Sequence, residues 1–234
     1  MQNKGFIAEA VLTDFGYWTR VDTFCECQKI RKSLHQIQKS GLNNMLRKYR
    51  LDNYDTKETW QRIIREEAFD YIDYITDINQ VEKGKPWYFI GGASGAGKTH
   101  ICTAICAELL QKGIPVRYML WRDDSMKLKG FVMEPEIYSK TINELKNITV
   151  LYVDDLFKIG HMNVNQPSSA DVNLAFEILN YRYNNPELIT IISSEYEIRD
   201  LQSIDAAIAG RIYERANPYI YNIQVAPGKN YRLK

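Results

Sequence analysis

The stretch Gly92-Ala93-Ser94-Gly95-Ala96-Gly97-Lys98-Thr99 constrains this 234-residue chain more than any other. Glycine gives up more backbone freedom on ordering than any other residue, so clustering it demands a task for the backbone itself. The stretch fits G-x-x-x-x-G-K-[ST]. It follows the apolar run 87–91 and precedes a helical pattern over 99–110 with Ile101, Ile105 and Leu109 on one side. In that setting successive N–H groups curl around a phosphate, and the helix N-terminus adds positive partial charge. Lys98 supplies a full charge to the β- and γ-phosphates, and Thr99 offers its hydroxyl to magnesium. The expected cradle is Gly92, Ala93, Ser94, Gly95, Ala96, Gly97, Lys98 and Thr99, with His100 next to it, holding ATP or ADP and Mg2+.

A loop of this kind needs a parallel sheet behind it, and the remaining sequence supplies one. "PVRYML" (115–120), "ITVLYV" (148–153), "LITIIS" (188–193) and "YIYNIQV" (219–225) read as four further strands. Helical patterns over 99–110, 169–183 and 198–216 and a polar, helical excursion over 121–145 separate them. Strand–helix alternation predicts an α/β fold with a five-stranded parallel sheet covered on both faces, its ligands at the carboxyl ends of the strands. Ahead of it, a helix is predicted over 57–78, ended by "EKGKP". Residues 1–50 read as a small, mainly helical module: Ile30, Leu34 and Ile37 share a helix face, and "SGLNN" (40–44) breaks it. The domains are therefore placed at 1–55 and 56–234.

Composition narrows the setting. No run approaches the roughly 20 apolar residues of a membrane span, and the N-terminus lacks the apolar core of a signal peptide, so a cytoplasmic protein without membrane contact is expected. Cys102 and Cys106 belong to the helix after the glycine loop and read as core. Net charge is only +1, yet Gln28–Arg50 holds seven basic residues and no acid. That segment is either a solvated helical face or a surface for an acidic partner or phosphates.

A phosphate loop needs acids from a neighbouring strand, and "VLYVDD" ends in Asp154 and Asp155. Asp154 is assigned to magnesium together with Thr99, and Asp155 to orienting the attacking water. Two adjacent acids suit hydrolysis better than phosphoryl transfer to a small acceptor. The shorter reach of Asp155, against a glutamate, predicts slow turnover. By analogy with five-stranded ATPases, the strand between the phosphate loop and the acidic strand carries a polar γ-phosphate sensor. Ser193 and Ser194 are the candidates. Glu195 beside them suits a phosphate site only if it points away or meets a water or an arginine. Arg211 and Arg215 share a helix face in "AIAGRIYERA". One of them, preferably Arg211, is read as an arginine offered to a neighbouring subunit's nucleotide, with Asp200 or Glu214 as alternative partners for Arg215.

The set "SGL" (40–42), "FIGGASGAGKTH" (89–100), "VLYVDDL" (150–156), "EILNYRYNN" (177–185), "TIISS" (190–194), "AIAGRIYER" (207–215) and "GKNYRLK" (228–234) resembles the DnaC/DnaI-type replicative helicase loaders, phage versions especially. These are AAA+ ATPases, with the transposition helper IstB a close relative. The resemblance implies an ASCE-type AAA+ core without a C-terminal helical lid. It implies an N-terminal part that grips a DnaB-type hexameric helicase, self-association through the ATPase domain, and contact with single-stranded DNA. Arg211 falls at the family's arginine-finger position. Arg232 is a weaker candidate for reaching the nucleotide. Many such loaders carry an N-terminal cysteine-rich zinc site, for which Cys25 and Cys27, with His35 as a third ligand, are the remnants here, and zinc binding stays open. In the excursion, Arg122, Lys127 and Lys129 face the place where relatives meet DNA, and Trp121 or Phe131 either stacks on bases or packs inward. The alternative function is an IstB-like ATPase regulating a transposase. A small-molecule kinase, or a decoy of host loading that binds ATP poorly, fits the acids and the intact Lys98 less well.

Overall fold

The computed structural model describes residues 6–13, 16–24, 31, 35, 42–77, 84–158, 166–224 and 230. The described part opens on an antiparallel hairpin, β1 (Phe6–Leu12) and β2 (Trp18–Phe24), paired from Phe6↔Phe24 to Leu12↔Trp18. The turn closes with Gly16 N–H donating to the Thr13 carbonyl at 2.9 Å. This departs from the expected mainly helical module: alternating β-branched and polar residues in "WTRVDTF" suit a strand, and that two-residue period went unread. The helical face at Ile30, Leu34 and Ile37 lies outside the described residues. A short helix, α1 (Leu42–Lys48), begins where "SGLNN" was expected to end one.

Helix α2 (Thr59–Thr76) matches its predicted span closely. Then come β3 (Tyr88–Gly92), α3 (Lys98–Gln111), β4 (Val116–Leu120), α4 (Trp121–Gly130), a 3-10 turn (Phe131–Met133) and α5 (Pro135–Asn147). After these follow β5 (Val150–Leu156), α6 (Ser169–Tyr183), β6 (Ile189–Ser194), α7 (Ile198–Ile204), α8 (Ala206–Ala216) and β7 (Ile220–Ile223). The last five strands form one parallel sheet in the order β4-β5-β6-β3-β7.

Because successive side chains leave a strand on opposite faces, each apolar run feeds two cores. Ile90, Tyr152 and Ile191 join Ile101 and Ile105 of α3 and Ala68 and Ile72 of α2 on one side. Phe89, Val153 and Ile192 meet α4 to α8 on the other, through residues such as Leu128, Ile178 and Ile212. Leu51 and Tyr54, between α1 and α2, are buried in the first core.

Two arginines close the second layer. Arg182, in the last turn of α6, is 0% exposed. Its guanidinium donates to the carbonyls of Leu145, Lys146, Ile148, Thr149 and Ile189, and its Nε to Thr190 Oγ1 at 2.9 Å. Three of those carbonyls lie at the end of α5 and its exit, where helix geometry leaves acceptors unpaired. Arg215 does the same beneath β3 and β6, donating to the carbonyls of Arg182, Tyr183, Lys85, Pro186 and Leu188.

Candidate functional site

The glycine loop runs from the end of β3 to the start of α3, at the carboxyl edge of the sheet. Gly92 has φ +100°, and a Cβ there would run into the Ile223 carbonyl, to which Ala93 N–H donates at 2.7 Å. Gly95, at φ +72°, lies against the Asn230 side chain. Both positions therefore need glycine. Lys98 is 6% exposed. Its Nζ donates to the carbonyls of Gly92 and Ala93, each at 2.8 Å, so the ammonium is held inside the loop's curl. Burial lowers its pKa, against the pull of Asp155 and Glu195.

Strand β5 carries the acids across from this loop. Asp154 is 3% exposed and accepts four hydrogen bonds. They come from Thr99 Oγ1 (3.2 Å), Tyr118 Oη (3.0 Å), Tyr152 Oη (2.8 Å) and Ser193 Oγ (2.5 Å). Four donors offset the desolvation of a buried carboxylate. Thr99 and Asp154, the expected magnesium pair, thus touch, and as hard oxygen donors they fit that ion. Thr99 and Asp154 would hold it.

Asp155 follows in an unusual backbone. The ladder between β5 and β6 shifts register between Val153 and Leu156, and Asp155 (φ 56°) and Phe157 (φ 63°) both have left-handed φ. Positive φ at a bulky residue such as Phe is a costly conformation. Burial of the Phe157 ring, edge-on to Trp121 at 5.4 Å, holds it there. Asp155 N–H donates to Ser193 Oγ at 3.0 Å, and its Oδ2 accepts from Lys158 Nζ at 2.9 Å. Burial, with Asp154 next to it, raises the Asp155 pKa against the opposing effect of Lys158. Lys158 also pairs with Glu195 at 3.1 Å. Burial works to raise the Glu195 pKa, but Lys158 and Ser94 outweigh it and hold the carboxyl low. Glu195 thus meets a lysine, Lys158, where an arginine or a water was expected.

These groups meet in a cleft of about 180 Å³ lined by Tyr49, Ser94, Lys98, Thr99, Asp155 and Lys158, with Gly95, Gly97, His100 and Glu195 completing it. A larger recess of about 520 Å³ lies at the amino ends of the strands, between Tyr74, Lys85, Pro186 and Arg215. Ligands of parallel α/β sheets bind at the carboxyl ends, so the smaller cleft is the candidate site.

Several expected residues take different places. Strand β6 does lie between β3 and β5. Of its two serines, Ser193 touches the acids, whereas Ser194 donates to the Leu156 carbonyl at 2.9 Å and accepts from Tyr196 N–H at 3.1 Å. Successive strand residues face opposite ways, so Ser194 does not reach the cleft and its catalytic assignment is corrected. The His100 ring borders the cleft, but its Nε2 lies 3.0 Å from the Arg50 carbonyl and 3.1 Å from Asn53 Oδ1, and the ring packs on Tyr49 and Tyr54. His100 thus ties the segment after α1 to the phosphate loop. Burial lowers its pKa.

Arg211 lies on α8, away from this cleft. Its Nε donates to Asn180 Oδ1 at 3.0 Å and its Nη1 to the Ala207 carbonyl, and its guanidinium packs over the Phe176 and Tyr183 rings. Arg215 is committed to carbonyls rather than to Asp200 or Glu214. Trp121 is buried, so it packs rather than stacks on bases. Lys127 pairs with Asp124 and Lys129 with Asp171, which leaves the excursion less basic than its sequence. Cys102 and Cys106 are buried core residues, as expected. Cys25, Cys27 and Arg232 lie outside the described residues. Among the described residues no group of three or more His, Cys, Asp or Glu side chains is arranged to hold a metal, and no helix is long and apolar enough to cross a membrane. Lys158, Tyr118 and Tyr152 went unread. Only Tyr152, two residues before Asp154 in a strand and hence on its face, left a legible signal.

A five-stranded parallel sheet with this loop, lysine and acid pair defines a P-loop ATPase core of the AAA+ type. The chain belongs to the IstB-like ATP-binding protein family, whose pattern matches residues 6–234. It is 32% identical over 218 residues to the phage-like element PBSX protein XkdC of Bacillus subtilis (strain 168), covering 91% of this chain and 79% of that one. Against two further relatives it spans 63% and 61% of their length. Among solved structures it is similar to a DnaC helicase loader (TM-score 0.61, 24% identity, 76% of this chain and 97% of that one). It is also similar to DnaI (TM-score 0.61, 21% identity, 78% and 93%). At these identities the two structures establish the fold. The chain binds ATP and is an ATPase.

Proposed function

We propose that this ATPase loads a DnaB-type hexameric replicative helicase onto single-stranded DNA, using slow hydrolysis as an assembly and release switch. The observation that carries this reading is the cleft itself, in which Lys98, Thr99, Asp154 and Asp155 converge on one sheet edge. The likeness to DnaC and DnaI, with nearly the whole of each covered, supports assigning that cleft to a loader.

Lys98 and the loop amides bind the β- and γ-phosphates. Thr99 and Asp154 hold Mg2+, which when bound neutralises charge on the phosphate oxygens. Asp155 orients a water and takes its proton. The water oxygen bonds to the γ-phosphorus as the bond to the β,γ-bridging oxygen breaks. ADP leaves with that electron pair, and the proton passes from Asp155 to solvent. Ser193 keeps both acids in place. Arg211, presented on α8 by Asn180 and Phe176, reaches the nucleotide of an adjacent copy, so hydrolysis depends on self-association. Residues 1–55 grip the helicase, and residues 56–234 form the ATPase domain. The protein works in the cytoplasm.

Copurification with the host helicase, with and without ATP, tests the reading. Retention that changes with nucleotide supports it. No retention under either condition, together with capture of a transposase, favours the second reading, an IstB-like regulator of transposition, which the family membership itself supports.

A further inference from the structure

The candidate cleft contains a second cation besides Lys98. Lys158 follows the acidic strand, and nothing in the phosphate-loop pattern requires it. The turn at the end of β5 places it: Lys158 N–H donates to the Asp155 carbonyl at 2.9 Å, with Asp155 and Phe157 both at positive φ. The buried Phe157 ring anchors that turn from the opposite side of the sheet. The ammonium is thereby folded back over the strand end, 2.9 Å from Asp155 Oδ2 and 3.1 Å from Glu195 Oε1. Glu195 is itself held by Ser94 of the phosphate loop. The lysine therefore joins the acidic strand to Glu195 after β6, and Glu195 in turn reaches the glycine loop.

We infer that Lys158 is a γ-phosphate sensor, parked between Asp155 and Glu195 until a triphosphate enters the cleft. A parked Lys158 ties up the carboxylate that must orient water. The terminal phosphate brings more negative charge than either carboxylate and draws the ammonium to itself. That move frees Asp155 in the same step that registers ATP rather than ADP. The β6 tip then needs no polar sensor of its own, because Glu195 supplies the resting partner and Lys158 the donor. Both neighbours of Lys158 favour its charged form, which keeps the ammonium available for phosphate. This inference rests on the cleft being a nucleotide site and is independent of the helicase.

The test compares equilibrium affinities for Mg-ADP and for a Mg-bound non-cleavable ATP analogue in the full chain. In Lys158→Met, analogue affinity should fall about tenfold, the loss of one charge-assisted hydrogen bond, while ADP affinity changes less than about twofold. Lys158→Gln, which keeps a polar end without the charge, should behave alike. Glu195→Gln should move the analogue-to-ADP ratio the other way, because one competitor for the ammonium is gone. A residue that merely braces the cleft would shift both nucleotides together. Equal changes for the two nucleotides, no change in either, or ratios moving in the same direction in the Lys158 and Glu195 variants would overturn the inference. If the unaltered chain bound neither nucleotide, the reading of the cleft would fail first, and the sensor with it.

Discussion

Replacing Arg182 with alanine removes the largest buried polar group in the second core. Six hydrogen bonds go with it. The Thr149 carbonyl keeps a partner in Ile189 N–H at 2.9 Å. The Leu145, Lys146 and Ile148 carbonyls, at the end of α5, lose a donor that their helix cannot replace. Each orphaned acceptor costs about 1 kcal/mol at the low end of the usual range, or about 3 kcal/mol together. Losing the buried aliphatic stem adds about 1–2 kcal/mol. Relief from burying a cation offsets part of this, which leaves a net destabilisation of about 3–4 kcal/mol, in keeping with other broken buried charge networks. A domain of ordinary stability, about 5–15 kcal/mol, stays folded and measurable. Urea unfolding followed by circular dichroism should show a lower midpoint with an unchanged slope. Arg182→Lys keeps the charge but offers three donors against five, and should cost about half as much. An alanine variant within 1 kcal/mol of the unaltered chain, or a lysine variant as damaging as alanine, would refute the reasoning.

Tyr152→Phe removes one of the four donors to Asp154 and should raise the Mg2+ concentration needed for half-maximal turnover about tenfold, with metal-free nucleotide affinity unchanged. A magnesium titration of each reads this directly. Arg211→Ala should still bind ATP but lose any turnover that rises with protein concentration. Mixing it with Lys98→Ala should restore activity if the arginine acts across the interface. The acid limb of stability carries a signature of Asp171, whose burial is outweighed by Lys129 and Ser168 so that its folded pKa is depressed. A depressed carboxylate stabilises fully above its unfolded value near 4, and that contribution disappears as pH falls through the lower folded value. Lys129→Met should therefore flatten the loss of stability below about pH 4, seen as a shallower dependence of the urea midpoint.

What the sequence disclosed follows from how local the physics is. The glycine loop, its helix and the apolar strands are encoded by residues adjacent in the chain, so each strand of the parallel sheet lies within a few residues of where the sequence places it. Asp154 was legible because an apolar strand ending in acids must deliver them to the sheet's edge. The partners of Asp154 were harder. Tyr118 arrives from β4 through a register of pairing, Tyr118↔Tyr152, that only the assembled sheet fixes. Ser193 and Ser194 could not be told apart while the strand's facing was unknown, and the ladder shift near Asp155 made simple alternation unreliable. Lys158 was hidden because its position depends on positive φ at Asp155 and Phe157, a conformation that neither residue type advertises. Arg182 of "NYRY" carries no role in the sequence, and Arg211 and Arg215 of "AIAGRIYER" are equivalent there as candidates for a neighbour's nucleotide; only their folded partners separate Arg182 and Arg215, which hold carbonyls of distant segments, from Arg211 on its aromatic shelf. The helical period at Ile30, Leu34 and Ile37 says nothing of residues 6–24, where the only local signal of the hairpin is the alternation in Trp18–Phe24.

The central claim is that the loop from Gly92 to Thr99 embraces the triphosphate through its amides and Lys98. Its most direct test is titration of a fluorescent ATP analogue, with magnesium, into the unaltered chain and into Lys98→Ala. The account predicts saturable binding by the unaltered chain and a loss of at least about tenfold in the variant, whose fold should remain intact by circular dichroism. Equal affinities in the two proteins would contradict it.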